Sequence, residues 1–114
     1  MRKKKTVRKR NQKKRKIGKE SDLQMKEYLK DTPPDKCFWV NNGWIIRNLE
    51  ELPIALDNMS DDTFNYHVNK DKNDFSKWVR DVIGDETLAR SLERVKNRED
   101  AIKIVNKRIK QLKR

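Results

Sequence analysis

The chain has 114 residues, with 30 Lys and Arg against 18 Asp and Glu, for a formal net charge of +12. That length allows one modest domain plus an appendage. No apolar run approaches the roughly 18 to 20 residues of a bilayer-spanning helix, one Cys and one His exclude a disulfide framework or a Cys/His metal site, and no cofactor is expected.

The charge is segregated. Residues 1–19 contain Arg2, Lys3, Lys4, Lys5, Arg8, Lys9, Arg10, Lys13, Lys14, Arg15, Lys16 and Lys19, twelve bases with no acid among them. From residue 20 onward bases and acids number 18 each, so the entire surplus lies in this arm. Val7 and Ile17 are the only large apolar residues between Arg2 and Lys19, which leaves no apolar segment of the kind a secretory signal carries. Like charges at this density repel in any compact arrangement, so residues 1–19 are expected to be a disordered basic tail and residues 20–114 a helical domain. The expected location is the cytoplasm, at the nucleoid or ribosome, or the nucleus if the source is a eukaryote.

Ser21 with Gln24 makes a capping-box pattern, and Leu23, Met25, Tyr28 and Leu29 supply an apolar stripe for a helix over 22–30. Thr32-Pro33-Pro34-Asp35 stops it. Cys37-Phe38-Trp39-Val40 and Trp44-Ile45-Ile46, separated by Asn41-Asn42-Gly43, predict a hairpin near 37–47. Period-two alternation sets Phe38 and Val40 on one face and Trp39 on the other. The expected reading of the aromatic set is a lid over the helices, because a small core needs large side chains. The alternative leaves Trp39 and Trp44 outward, to stack on a base or sit in a protein interface.

Beyond the hairpin the period becomes helical. Asn48 with Glu51 resembles a cap, and Leu49, Leu52, Leu56 and Met59 follow at helical spacing, with Pro53 implying an irregular first turn. Ser60 begins a helix containing Phe64 and Val68. Asn73 or Asp74 caps the next, whose face is Phe75, Trp78, Val79, Val82 and Ile83, ending at Gly84. Asp85 starts another, with Leu88, Ala89, Leu92 and Val95 inward. Asn97 with Asp100 starts the last, where Ile102, Val105, Ile109 and Leu112 recur at 3, 4 and 3. The fold class is mainly α, a compact small helical domain with one short β-hairpin.

The pattern Phe64-x-x-His67-Val68-Asn69-x-x-x-Asn73-Asp74-Phe75-x-x-Trp78-Val79-x-Asp81-Val82-x-Gly84-Asp85-x-x-Leu88-Ala89, preceded by Phe38, Gly43, Leu49, Glu51 and Leu52, resembles the signature of a prokaryotic family of small domains of unknown function. The resemblance spans about residues 37–112. It implies a fold and no activity.

His67 beside Asp71 and Asp74 invites an acid–base reading, but no nucleophile elbow, phosphate-cradling Gly loop or ligand set accompanies it. The expected role of His67, Asn69, Asn73, Asp74 and Trp78 is structural, with His67 and Asn69 bonding across the turn between two helices. The chain is not expected to be an enzyme. The last helix adds cations: on it Lys103, Lys107, Lys110 and Arg114 form a stripe beside the apolar face. Residues 20–100 hold 18 acids against 12 bases, so an acidic middle separates two basic ends. A charged tail is often only a solubilising or targeting extension, and Arg8-Lys9-Arg10 with Lys13-Lys14-Arg15-Lys16 would serve as a nuclear import signal. Twelve cations with no acid among them also meet the requirement for binding backbone phosphate. The expected function is non-specific nucleic-acid binding, to DNA or structured RNA, with the helical domain as a docking module and no membrane partner. A protein-interaction adaptor whose tail only localises it is the alternative.

Overall fold

Six of the predicted boundaries rest on a polar side chain placed to satisfy an otherwise orphaned amide, and the computed structural model, which describes residues 21–114, bears this out. The expected disordered tail lies outside those residues. Ser21 Oγ accepts from the Gln24 amide and opens α1 (Asp22–Glu27), which ends in tight turns three residues before the expected end of the helix at residue 30. A single 3₁₀ turn, Pro34–Lys36, leads into β1 (Phe38–Trp39). β1 pairs antiparallel with β2 (Ile45–Ile46), in the register Phe38 with Ile46 and Trp39 with Ile45. The connecting turn is closed by the Gly43 amide on the Val40 carbonyl, with Gly43 at φ +94°.

Helix α2 (Glu51–Asn58) follows, and Asn48 Oδ1 accepts from the Glu51 amide as expected. The reciprocal bond is shifted by one residue, since Glu51 Oε1 takes the Arg47 amide. Pro53 is the third residue of this helix, within the first turn, where its missing amide hydrogen leaves no bond unmade. Ser60 caps α3 (Asp61–His67), Asn73 caps α4 (Asp74–Trp78), Asp85 caps α5 (Glu86–Leu92) and Asn97 caps α6 (Arg98–Leu112).

Two features depart from expectation. The link between α3 and α4 is a second hairpin, β3 (Val68–Asn69) with β4 (Lys72–Asn73), rather than a plain turn. The helix expected over 75–83 is α for one turn only and continues as a wider π turn, Val79–Ile83, before Gly84 at φ +89° ends it. Val82 and Ile83 are consequently half-buried at the edge of the core.

The core is continuous, from Tyr28 on α1 to Leu112 on α6, and includes Phe38, Ile46, Leu49, Leu52, Leu56, Phe64, Phe75, Trp78, Val79, Leu88, Leu92 and Val105. Helix α6 forms its spine: α2 packs along it, with α1 and α5 also against it, while α4 lies on α5. Arg98 at the start of α6 reaches across to the carbonyls of Leu56 and Asp57 at the end of α2 and pairs with Asp61. Among the described residues no helix is long and apolar enough to cross a membrane.

Candidate functional site

Three places gather the residues that the sequence singles out. The first is the junction between the hairpins. His67 ends α3 and is 4% exposed, with its ring edge-on to Phe38 at 5.1 Å and tilted against Phe75 at 5.3 Å. The backbone amide of Asn41, in the first hairpin's turn, donates to Nε2 at 2.9 Å. Nε2 therefore carries the lone pair, and Nδ1–H donates to Asp74 Oδ2 at 3.0 Å. Both ring nitrogens are occupied. The imidazole ties the β1–β2 turn to the first residue of α4.

Asp74 also accepts from Lys72 Nζ at 2.9 Å. Burial pushes its carboxyl pKa up, but the bonds from Lys72 and His67 outweigh that and leave it below the usual carboxylate range. Lys72 is raised in turn by its hydrogen bond to Asp74. Asn73 serves two elements: Oδ1 caps α4 through the Ser76 amide, and Nδ2 donates to the Leu92 carbonyl at the end of α5. Ser76 Oγ repeats the link by donating to the Ala89 carbonyl. Trp78 is buried and its indole N–H donates to the Lys36 carbonyl at 2.8 Å, anchoring the entry to β1. Asn69 behaves otherwise than expected. It bonds back to the carbonyls of Asn65 and Tyr66 and accepts the Asp71 amide, so it finishes α3 locally and does not cross to another helix. The signature residues His67, Asn73, Asp74 and Trp78 thus join the two hairpins to α4 and α5. Among the described residues no group of three His, Cys, Asp or Glu side chains is placed to hold a metal ion.

The second place is the outer face of the first hairpin. The expected lid is corrected here: Phe38 and Val40 are buried, whereas Trp39 is 68% exposed. Phe38 stacks on Phe75 with centroids 4.8 Å apart and meets Trp78 edge-on at 5.9 Å, so the core already has its aromatic cover. Ile45, opposite Trp39 in the ladder, is also exposed, and with Trp44 and Ile54 of α2 it lines a shallow cleft of about 470 Å³. Arg47 and Glu51 edge the cleft and are locked together at 2.7 Å. Glu51 is lowered by the hydrogen bonds it takes from Arg47's side chain and backbone.

The third place is α6. Lys103, Lys107, Lys110 and Arg114 are all exposed, and none makes an ion pair among the described residues. The apolar face is rotated from the expected one. Ala101, Val105, Arg108 and Leu112 are its buried centre, and Ile102 and Ile109 flank it half-buried. Arg108 was not foreseen there. Its Nε and Nη2 donate to Asp85 Oδ2 and Oδ1 at 2.7 and 3.0 Å, and Asp85 is fully buried while also capping α5 through the Leu88 amide. A single base at a core position of one helix and a single acid at the start of another were the only signals available for this pair. Lys113 is likewise engaged, with Glu50.

The chain belongs to DUF5752, a family of unknown function, whose model matches residues 35–112. The match covers both hairpins and every helix except α1, and agrees with the resemblance carried by the Phe64–Ala89 signature. No curated protein and no solved structure matches the chain.

Proposed function

We propose that this is a small nucleic-acid-associated protein whose basic arm binds backbone phosphate without reading bases, while the helical domain serves as a docking module. The observation that carries the reading is the segregation of charge: twelve bases and no acid in residues 1–19, against a balanced remainder. Each phosphate that a cation neutralises releases condensed counterions, so such an arm gains affinity through its charge alone. The unpaired stripe Lys103, Lys107, Lys110 and Arg114 supports it, because α1, into which the arm leads, packs against α6. Arg108 contributes nothing to phosphate binding in this reading, being committed to Asp85.

The test is binding of labelled duplex DNA and of structured RNA across a salt series, with crosslinking in cells to identify the nucleic acid held. If about eight phosphates are neutralised on duplex DNA, the slope of log affinity against log salt is near −7. Removing residues 1–19 keeps every core side chain among the described residues, Tyr28 to Leu112, and should abolish most of the affinity. Near-full binding with the same slope would refute the arm as the binding element.

A second reading, a protein-interaction adaptor whose arm only localises it, is favoured by one observation: the exposed Trp39 face on an otherwise well-packed domain.

A further inference from the structure

The four side chains Trp39, Trp44, Ile45 and Ile54 come from the first hairpin and α2, which pack on each other, and none of the four is turned into the core. Instead they sit together outside. Trp39 and Ile45 are directly opposed across the ladder, and Trp44, Ile45 and Ile54 share one cleft. The exposed apolar area is on the order of 400 Å², the size of patch that on small monomers is often functional. It is about half of the roughly 800 Å² per side that a stable protein interface buries, which argues against a second copy of the chain as its cover and for a short segment.

Charge selects among short segments. One turn before and after Ile54 lie Glu50, which precedes α2, and Glu51 and Asp57 on it. Glu50 is held by Lys113 and Glu51 by Arg47, which leaves Asp57 as the acid of the three without a side-chain partner among the described residues. Residues 31–62, which contain the whole patch, carry seven acids against two bases, so they account for most of the net negative charge of the middle of the chain. The unpaired Asp57 and the net negative charge of this stretch disfavour a nucleic acid and favour a cationic peptide.

We propose that the Trp39–Trp44–Ile45–Ile54 face is a docking surface for a short basic segment of a partner protein, one whose apolar side chains enter between the hairpin and α2 while its Lys or Arg residues meet the acidic rim. This deepens the docking-module half of the proposed function, and it assigns the protein partner to the face between the first hairpin and α2 rather than to the α6 stripe. The molecule would then hold a polyanion through one segment and a polycation through another.

The test uses the full chain and a fluorescein-labelled synthetic peptide with Leu at every third or fourth position among lysines, followed by anisotropy. The peptide should bind saturably, and Trp39→Ser and Ile54→Ser should each weaken it about tenfold, the loss expected of an anchor residue. Because both side chains are exposed, the melting temperature should hold, and binding of an oligonucleotide by the same variants should be unchanged. A Glu–Leu peptide of the same pattern should not bind. The proposal is overturned if no saturable binding occurs, if the Glu–Leu peptide binds equally well, or if both variants bind as the parent does. It is also overturned if sedimentation shows a dimer that the variants dissolve, or if the peptide binds only after residues 1–19 are removed, since the occupant would then be a second copy or the chain's own arm. Loss of oligonucleotide binding in the variants would assign the face to nucleic acid and sink this proposal while sparing the phosphate-binding reading; loss of salt-dependent binding on deleting the arm tests the latter separately.

Discussion

Asp85 and Arg108, 23 positions apart, meet as a two-point ion pair that joins the start of α5 to the middle of α6, with Asp85 wholly out of solvent and the Arg108 side chain 8% exposed. Two buried charges are costly unless each satisfies the other, and removing one partner leaves the second stranded. Asp85→Ala also uncaps α5. We therefore expect Asp85→Ala or Arg108→Ala to lower the unfolding free energy by about 3–5 kcal/mol, read from denaturant melts. The double variant Asp85→Ser/Arg108→Met keeps a capping hydroxyl and should lose less than the two single effects combined. Additive losses would mean that the pair is not coupled.

His67 presents a smaller version of the same argument. Its removal leaves the Asn41 amide without an acceptor in a partly buried site and takes one donor from Asp74. His67→Ala should cost about 1–3 kcal/mol and shift the melting temperature down, with oligonucleotide binding unaltered at temperatures where the variant is folded. Asn69→Ala, whose bonds are exposed and local, should cost less than His67→Ala. Loss of a chemical activity in His67→Ala at unchanged stability would overturn the structural role.

Acid should loosen the same junction. Asp74 and Glu51 both have folded-state pKa values below the ordinary carboxylate range, Asp74 despite its burial and because of Lys72 and His67, Glu51 because of Arg47. A depressed carboxylate contributes stability that is complete above its unfolded pKa, near 4, and that disappears as the pH falls through the folded value. Stability should thus be flat through neutral pH and decline below about pH 4. Asp74→Asn and Glu51→Gln should each be less stable than the parent at neutral pH and show a shallower acid decline. An identical acid limb in both variants would assign the loss to other carboxylates.

Most of the fold was legible because helix starts are written locally. Ser21, Ser60, Asn73, Asp85 and Asn97 lie within three residues of the amides they satisfy, and no distant contact is needed to place them. What escaped depends on distance or on short elements. The strands of the second hairpin are two residues each, too brief to display a period, so Val68–Asn73 reads as a simple connection. On α6 the larger Ile102 and Ile109 drew the predicted face toward themselves, although Ala101 and Arg108 hold the centre. Arg108 is tolerated there only because Asp85 waits 23 residues away. At the first hairpin the alternation correctly opposed Trp39 to Phe38 and Val40. The lid expectation failed because Phe38, Phe64, Phe75 and Trp78 already fill the aromatic share of the core. The arm and α6 stripe were legible as charge, the exposed face of Trp39, Trp44, Ile45 and Ile54 only once the hairpin was seen against α2.

Gly84 and Gly43 have similar backbones and different surroundings, at φ +89° and +94°. A Cβ at Gly84 would lie 3.9 Å from the Tyr28 ring, an ordinary contact, and one at Gly43 would meet nothing within 4 Å. Space is available at both, so the cost of alanine is conformational. Gly84→Ala and Gly43→Ala should each destabilise by about 1–2 kcal/mol, and asparagine at either position should recover part of it. A much larger loss at Gly84 would show that α1, through Tyr28, cannot give way.

The α6 stripe offers the sharpest measure of whether the domain shares in phosphate binding or merely carries the arm. Replacing Lys103, Lys107 and Lys110 by Gln touches no ion pair among the described residues and no buried side chain, so the fold should be unaffected. If each lysine neutralises one phosphate of duplex DNA, the salt slope should fall in magnitude by about 2 to 3 while the loss of affinity stays the same for every sequence tested. A sequence-dependent loss would mean that the helix reads bases. An unchanged slope would confine phosphate contact to residues 1–19. In that case α6 would face the nucleic acid only by proximity, and the exposed stripe would have its physical explanation in solvation and in the preference of a helix C-terminus for cations.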